Sequence, residues 1–323
     1  MRIKITELRK ILEQKLRLVN LTASEARIIA DEYLIGELKG KKSHGIYGFI
    51  HSYKKRKTKK RGHFKVFKNK PAFAYIKGNK DYGQLVADYA IKLAIKKAKK
   101  SGVFTVGGGD VYAFLRPATW AEMAAKQGMI ALCFNYGGGP LIAPTGAREP
   151  ILSTNPIGIG IPYKPFPFVI DMATSNRAFW NVRMARAFKK KISKDWGIDA
   201  QGKPTTDPNK LIAVLPFGGY KGYILATAIE ILTGPLVRTK VGKSTRKLRG
   251  FLFMVIDPTA FTSRKEFNKD VKKLIRDIKT AKKVKGVKEI LIPGERAYKI
   301  EQKNLKRGWL EIEDSIIKDI RNL

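Results

Sequence analysis

Residues 153–163 read STNPIGIGIPY, and the spacing of their glycines decides the fold class. Gly158 and Gly160 open a G-x-G, but Tyr163 stands where a third glycine would be required. That third glycine lets a helix pack closely on the strand, so that a pyrophosphate can sit at the helix N-terminus. Two glycine triplets, Gly107–Gly109 in GGGDVYAF and Gly137–Gly139 in GGGPLIAP, also lack it. No G-x-x-x-x-G-K-[ST] run occurs either. The standard doubly wound and P-loop readings therefore fail, and the triplets read as turns at strand ends.

Outward from this stretch the rhythm is of short buried strands broken by Gly and Pro: VFTVGGGD, MIALCFNYGGG, PIGIGIP and PFVIDMATS, with LFMVIDPTAF later. Helical periodicity dominates toward both ends. Ile5, Leu8 and Leu12 form one stripe; LTASEARIIADEYLIGEL follows with Thr22 or Ser24 as its cap; residues 82–100 form a helix that stops at Gly102. Further helices are expected in RAFWNVRMARAFKKK, at 219–233, in RKEFNKDVKKLIRDIKTA and in EDSIIKDIRNL. The expected architecture is mixed, α+β, with residues 1–100 and 262–323 forming a helical domain from both termini. Residues 101–261 form a central β-rich domain.

Composition bounds the class. The 323 residues are 44% hydrophobic, which is globular. The longest apolar run, GYILATAIEILTGPLV, is short for a membrane span and carries Glu230, so it reads as a core helix. The charged N-terminus lacks the apolar region of a secretory signal, and the expectation is a soluble cytoplasmic protein with no membrane partner. One cysteine, Cys133, excludes an internal disulfide and a thiolate zinc site; no metal is expected. A net charge of +38 would suit a polyanion, yet the lysines are spread from end to end. Only residues 53–70 concentrate it, with ten Lys or Arg and no acid, and that block is expected to be a mobile surface segment. Nucleic acid is thus a conceivable partner but not the favoured one.

Five strings carry chemistry. KGKKSHGIYGF places His44, one of three histidines, between Ser43 and Gly45. STNP puts Ser153, Thr154 and Asn155 on a rigid turn. DMATSNRAFW places Asp171 at a strand end, with Thr174 and Ser175 able to cap the next helix and leave backbone N–H groups for an anion. PFGGYKGY puts Lys221 at the head of an apolar helix. IPGERAY repeats a Gly–Glu turn after a strand.

Taken in order, these strings resemble the malate/L-lactate dehydrogenase family of the non-Rossmann type. ELKGKKSHG resembles its D-L-R-G-x-x-S-H-G, APTGAREPILSTNPIGIGIP resembles A-P-x-G-G-R-E-P-x-L-G-T-N-P-x-x-x-x-x-P, and DMATS, GKPTTDP, GGYKGY, DPTAF and PGER follow in sequence. The resemblance implies a mostly antiparallel central sheet, a homodimer, and NAD or NADP as cofactor, the lysine load leaning toward the extra phosphate of NADP. It implies hydride transfer between a nicotinamide and a small anionic 2-hydroxy or 2-keto acid, or a related imine. His44 becomes the proton donor, and Ser43 lies near the nicotinamide. Thr154, Asn155, Asp171, Met172, Ala173, Thr174, Ser175, Lys221, Gly222, Pro293, Gly294 and Glu295 line the cofactor site.

The chain departs from the family twice. Gly48 stands where the resemblance expects an arginine for the substrate carboxylate, and Ala113 where it expects a second histidine. Either the substrate differs, or neighbours such as Tyr47, Arg116 or Asp110 take over. His51, seven residues after His44, would share a helix face with it and could assist. The alternative is a catalytically weakened relative that binds dinucleotide or nucleic acid.

Overall fold

A computed structural model describes every residue except 57–59, 115 and 246. In chain order the elements begin with β1 (Arg2–Lys4), α1 (Ile5–Arg17), α2 (Ala23–Leu38), a 3-10 turn at Lys42–His44, α3 (Ile46–Arg56), β2 (Lys65–Asn69), β3 (Phe73–Lys77) and α4 (Gly83–Ser101). β4 (Val103–Val111), α5 (Pro117–Lys126), β5 (Ile130–Asn135), β6 (Ile157–Ile161), β7 (Phe168–Met172), α6 (Phe179–Ala187), β8 (Gly197–Ile198), β9 (Ala213–Val214) and α7 (Tyr220–Thr233) come next. The chain ends with β10 (Arg249–Ile256), α8 (Arg264–Thr280), α9 (Glu295–Arg307), β11 (Trp309–Glu311) and α10 (Asp314–Arg321).

These elements divide into two compact units. One comprises Met1–Arg61, Tyr163–Phe168 and Lys265–Leu323; the other comprises Gly62–Pro162 and Val169–Arg264. In the first unit, α1, α2, α3, α9 and α10 pack together and β1 pairs with β11. α1 buries the stripe Leu8, Leu12 and Leu16. α2 starts at Thr22, not Ser24, through a capping box in which Thr22 Oγ1 accepts from Glu25 N while Glu25 reaches back to Thr22 N.

The second unit is built on a seven-stranded sheet in the order β2-β3-β4-β10-β5-β6-β7. Its strands pair antiparallel at β2·β3, β4·β10, β10·β5 and β5·β6, and parallel at β3·β4. This is the mostly antiparallel, non-Rossmann sheet expected from the failed glycine fingerprint. α4 and α5 pack on it over a core that includes Ile91, Phe104, Phe114, Trp120, Phe251 and Phe253. α4 ends at Gly102, whose φ of +77° suits glycine.

The structure changes several expectations. Residues 62–100 belong with the sheet, because β2 pairs along β3, β3 pairs along β4, and α4 packs its apolar face on β4 and β10. Gly107–Gly109 is not a turn but the middle of β4; a Cβ on Gly108 would stand 2.5 Å from the Phe251 ring. The segment before Pro293 is not a strand, and α9 begins directly at Glu295. The basic block 53–70 is not a loop throughout. Its start completes α3, where Tyr53 and Arg56 are buried, Arg61 pairs with Glu25, and 65–69 forms β2. Residues 57–59 of that block lie outside the described residues. No helix among the described residues is long and apolar enough to cross a membrane.

Candidate functional site

In the first unit, His44 closes the 3-10 turn Lys42–His44, and its Nδ1 lies 3.0 Å from Ser43 Oγ. α2 holds this turn in place. A Cβ on Gly36 would stand 2.5 Å from the His44 carbonyl oxygen, and one on Gly45 would overlap the Glu37 carboxylate, so both positions need glycine for close approach. Glu37 Oε2 accepts from Ile46 N at 3.0 Å, fixing the start of α3 just beyond the histidine. Burial pushes the Glu37 carboxyl above its ordinary pKa, with the Ile46 bond and Lys42 opposing. Glu37 is therefore a positioning group that sequence patterning does not single out. His51 sits within α3 while His44 precedes that helix, so the two do not share a helix face.

Gly48 is buried on α3, where a Cβ would stand 3.0 Å from Ser43 O and 3.7 Å from the Tyr33 ring. Also in this unit, Glu295 is buried at the start of α9. Its carboxylate accepts from Lys279 Nζ at 2.8 and 2.7 Å and from Ile292 N at 3.1 Å, and pairs with Lys299 Nζ at 3.1 Å. These bonds overcome burial and hold its pKa below the usual carboxylate value. Pro293 and Gly294 form the turn they close.

In the second unit, the expected residues converge at one end of the sheet. β5 and β7 finish there, and β6 and β10 start there. Thr174 N and Oγ1 both donate to Thr154 O at 3.0 Å, and Phe217 N donates to Thr174 O at 3.1 Å. The STNP turn, the Asp171–Ser175 stretch and the head of α7 thus form one continuous cradle. Gly218 and Gly219, with φ of +57° and +63°, turn the chain into α7 and leave Lys221 exposed at its head. A Cβ on Gly222 would stand 2.6 Å from Phe217 N and 2.8 Å from Thr174 O, so glycine sets how closely helix and strand end approach. Met172 and Ala173 link the strand end to Thr174.

Three details differ from expectation. Ser175 and Thr174 do not cap α6, whose N-cap is Ala178; Ser175 Oγ donates to Arg177 O at 2.8 Å instead. The N–H of Thr174 is bonded to Thr154 O and that of Asn176 to Leu215 O, so neither is left for an anion. Asn155, fully buried with φ of +30°, donates to Ala226 O at 2.9 Å and Glu230 Oε2 at 2.7 Å. Its side chain braces the cradle from behind.

That bracing centres on Glu230, whose two oxygens accept from Ser153 N, Asn155 Nδ2 and Gly242 N. Burial raises its pKa, and those bonds oppose the rise. A single acid in an otherwise apolar helix signals this role, since once buried it needs partners. Arg116, at the start of α5, is not an idle cation: Nη1 donates to Asp171 Oδ2 at 3.1 Å and Nη2 to Thr119 Oγ1 at 3.1 Å. Among the described residues no three His, Cys, Asp or Glu side chains gather as a metal ion requires.

A non-Rossmann sheet with this cradle in one unit, and a Ser–His turn of the matching motif in the other, belong to the class of hydroxy-acid dehydrogenases and reductases. The chain belongs to the malate/L-lactate dehydrogenase family, whose model matches residues 3–321. It is 34% identical over 330 residues to malate/(S)-sulfolactate dehydrogenase of Methanothermus fervidus, covering 98% of this chain and 95% of that protein. L-sulfolactate dehydrogenase of Methanocaldococcus jannaschii is 36% identical, covering 98% and 94%. Ureidoglycolate dehydrogenase (NAD(+)) of Escherichia coli is 27% identical, covering 98% and 94%. The crystal structure of malate dehydrogenase from Entamoeba histolytica superposes with a TM-score of 0.93 at 26% identity, covering 100% of this chain and 96% of that one.

Proposed function

We propose that this protein is an NAD(P)-dependent oxidoreductase that interconverts a small anionic 2-hydroxy acid and its 2-keto acid. The observation that carries the reading is the cradle in which Thr154, Thr174 and Gly222 meet at the head of α7. Its features suit a dinucleotide: close backbone approach at Gly222, an exposed Lys221 for phosphate, and hydroxyl-bearing walls. Ser43, Thr154, Asp171–Ser175, Lys221, Gly222 and Pro293–Glu295 would hold the cofactor, which supplies the hydride when bound. A similar protein with NAD(+) in its name supports that cofactor class.

The chain's own part is to deliver and orient a proton. If Ser43 Oγ donates to His44 Nδ1, the ring proton lies on Nε2, which can protonate the carbonyl oxygen as it becomes an alkoxide. Glu37 fixes the turn so that the ring keeps one orientation. Gly48 and Ala113 leave the binding of the substrate anion to other groups.

We further propose that a second copy of this chain covers α7. Tyr220, Ile224 and Ile231 recur on one face of that helix and are 60%, 57% and 55% exposed, while Gly222, Ala226, Ile229 and Glu230 fill the opposite face. Light scattering should give twice the monomer mass, and Ile224→Glu should lower it.

The test is fluorescence titration with NADH and NADPH, followed by oxidation of the bound nucleotide by a panel of 2-oxo acids. Binding with turnover on at least one member is expected. Binding without turnover on any would favour a weakened, binding-only relative.

A further inference from the structure

Residues 62–80 carry five lysines and no acid, and the second unit gathers several of them on one face. β3 alternates. Ala74 and Ile76 are buried in the core, so Phe73, Tyr75 and Lys77 lie on the opposite side of the sheet. β2 runs beside β3 as the end strand, with Lys65 opposite Lys77 and Lys68 opposite Tyr75. The Phe67 ring joins the same face: it meets the Tyr75 ring edge-on at 6.2 Å, and Lys77 Nζ lies 3.8 Å from its centroid. Phe67 and Phe73 remain 55% and 43% exposed.

This face is walled on one side. A Cβ on Gly107 would stand 3.0 Å from Val237 Cγ1, and one on Gly109 2.6 Å from Val237 O, so residues 237–239 lie directly over β4. Tyr75 Oη donates to Val237 O at 3.0 Å, which fixes its ring. The wall adds two exposed cations, Arg238 and Lys240. Asp110 is the acid nearby; it and Arg238 act on the Tyr75 hydroxyl in opposite directions.

Adjacent exposed rings rimmed by charge mark an interaction surface, and the charge limits what can cover it. Lys65, Lys68, Lys70, Arg238 and Lys240 have no carboxylate partner among the described residues. A second copy meeting this face across a two-fold axis would set lysine against lysine. An added strand is hindered too, because lysines and the irregular register between Val66 and Lys68 guard the edge of β2. The occupant that fits is anionic and presents flat apolar faces.

We propose that Phe67 and Phe73, rimmed by Lys65, Lys68, Lys77 and Arg238, form a platform for single-stranded nucleic acid. Bases stack on the rings and the cations take the phosphates. None of these residues belongs to the cradle or to the Ser–His turn, so the platform goes beyond the enzymatic reading and does not depend on it.

Fluorescence anisotropy on the full chain, with fluorescein-labelled oligouridylate and oligothymidylate as the RNA and DNA probes, tests the platform. The probe bound more tightly names the natural class. Because a net charge of +38 draws any polyanion, the deciding variants keep the charge. Phe67→Ser and Phe73→Ser should each weaken single-strand binding about fivefold or more, with duplex binding, melting temperature and NADPH affinity unchanged. Lys77→Gln should reduce the steepness of log Kd against log salt by about 0.7, whereas Lys285→Gln, an exposed lysine of the other unit, should leave it unchanged. Wild-type affinity in the doubly substituted Phe67→Ser, Phe73→Ser chain would overturn the platform, as would equal losses of single-strand and duplex binding. Tighter binding of polyglutamate than of either oligonucleotide would point to an acidic protein partner and overturn it as well. A chain that holds the oligonucleotide through Phe67 yet turns over no oxo acid would refute the enzymatic reading and leave the platform standing.

Discussion

Arg116 and Asp171 form an ion pair at 3.1 Å that ties the N-cap of α5 to the end of β7. Their side chains are only 8% and 20% exposed, so the pair is largely shielded from water. Thr119 takes a second N–H of the same guanidinium. Asp171 is therefore held in place beside the cradle before any ligand arrives.

Breaking that pair from one side should be costly. Arg116→Gln takes a cation away from a mostly buried carboxylate, and the expected loss is about 2–4 kcal/mol of stability. Asp171→Asn in the Arg116→Gln background should recover part of it. Urea unfolding of the two single variants and the double variant gives the coupling, and additive effects would deny the pair its role.

Glu25 sets an acid limit on stability. Its carboxylate accepts from Arg61 Nη1 at 3.1 Å and Arg61 Nη2 at 2.6 Å, and from Thr22 N at 3.0 Å. Those bonds, Arg61's above all, bring its pKa from 4.5 to about 2 against the opposing effect of burial. The unfolded chain binds the proton more readily, so this stabilisation is complete above pH 4.5 and fades as pH falls toward 2. With the side chain 25% exposed, its size is on the order of 2–3 kcal/mol. Melting curves in that window should fall less steeply for Glu25→Gln than for the wild type.

Gly222→Ala tests the cradle itself. The added methyl would stand 2.6 Å from Phe217 N and 2.8 Å from Thr174 O, so backbone must move. A cost of about 1–3 kcal/mol is expected, together with weaker NAD(P)H binding. Unchanged cofactor affinity in a folded variant would place the dinucleotide elsewhere.

The parts of this molecule legible in the sequence are those set by local pattern. The missing third glycine at Tyr163 correctly excluded a Rossmann sheet, and the stripe Leu8–Leu12 and the stop at Gly102 fixed α1 and the end of α4. The motif strings located His44 and the Thr154 and Thr174 turns. Pattern could not show partners distant in sequence: Arg116 with Asp171, Asn155 with Glu230, or Arg249 over Gly138. It also could not tell a glycine that turns the chain from one that lets a ring pack against it. Gly137–Gly139 and Gly107–Gly109 look alike as letters, yet one is a loop and the other a buried strand.

The most direct measurement is the rate of reduced-cofactor oxidation by 2-oxo acids, compared between wild type and His44→Asn with NAD(P)H affinity measured on both. The account predicts turnover by the wild type, unchanged nucleotide binding by the variant, and a kcat lower by a factor of ~10²–10⁴. Equal rates in the two proteins, or a wild-type chain that binds neither NADH nor NADPH, would contradict it.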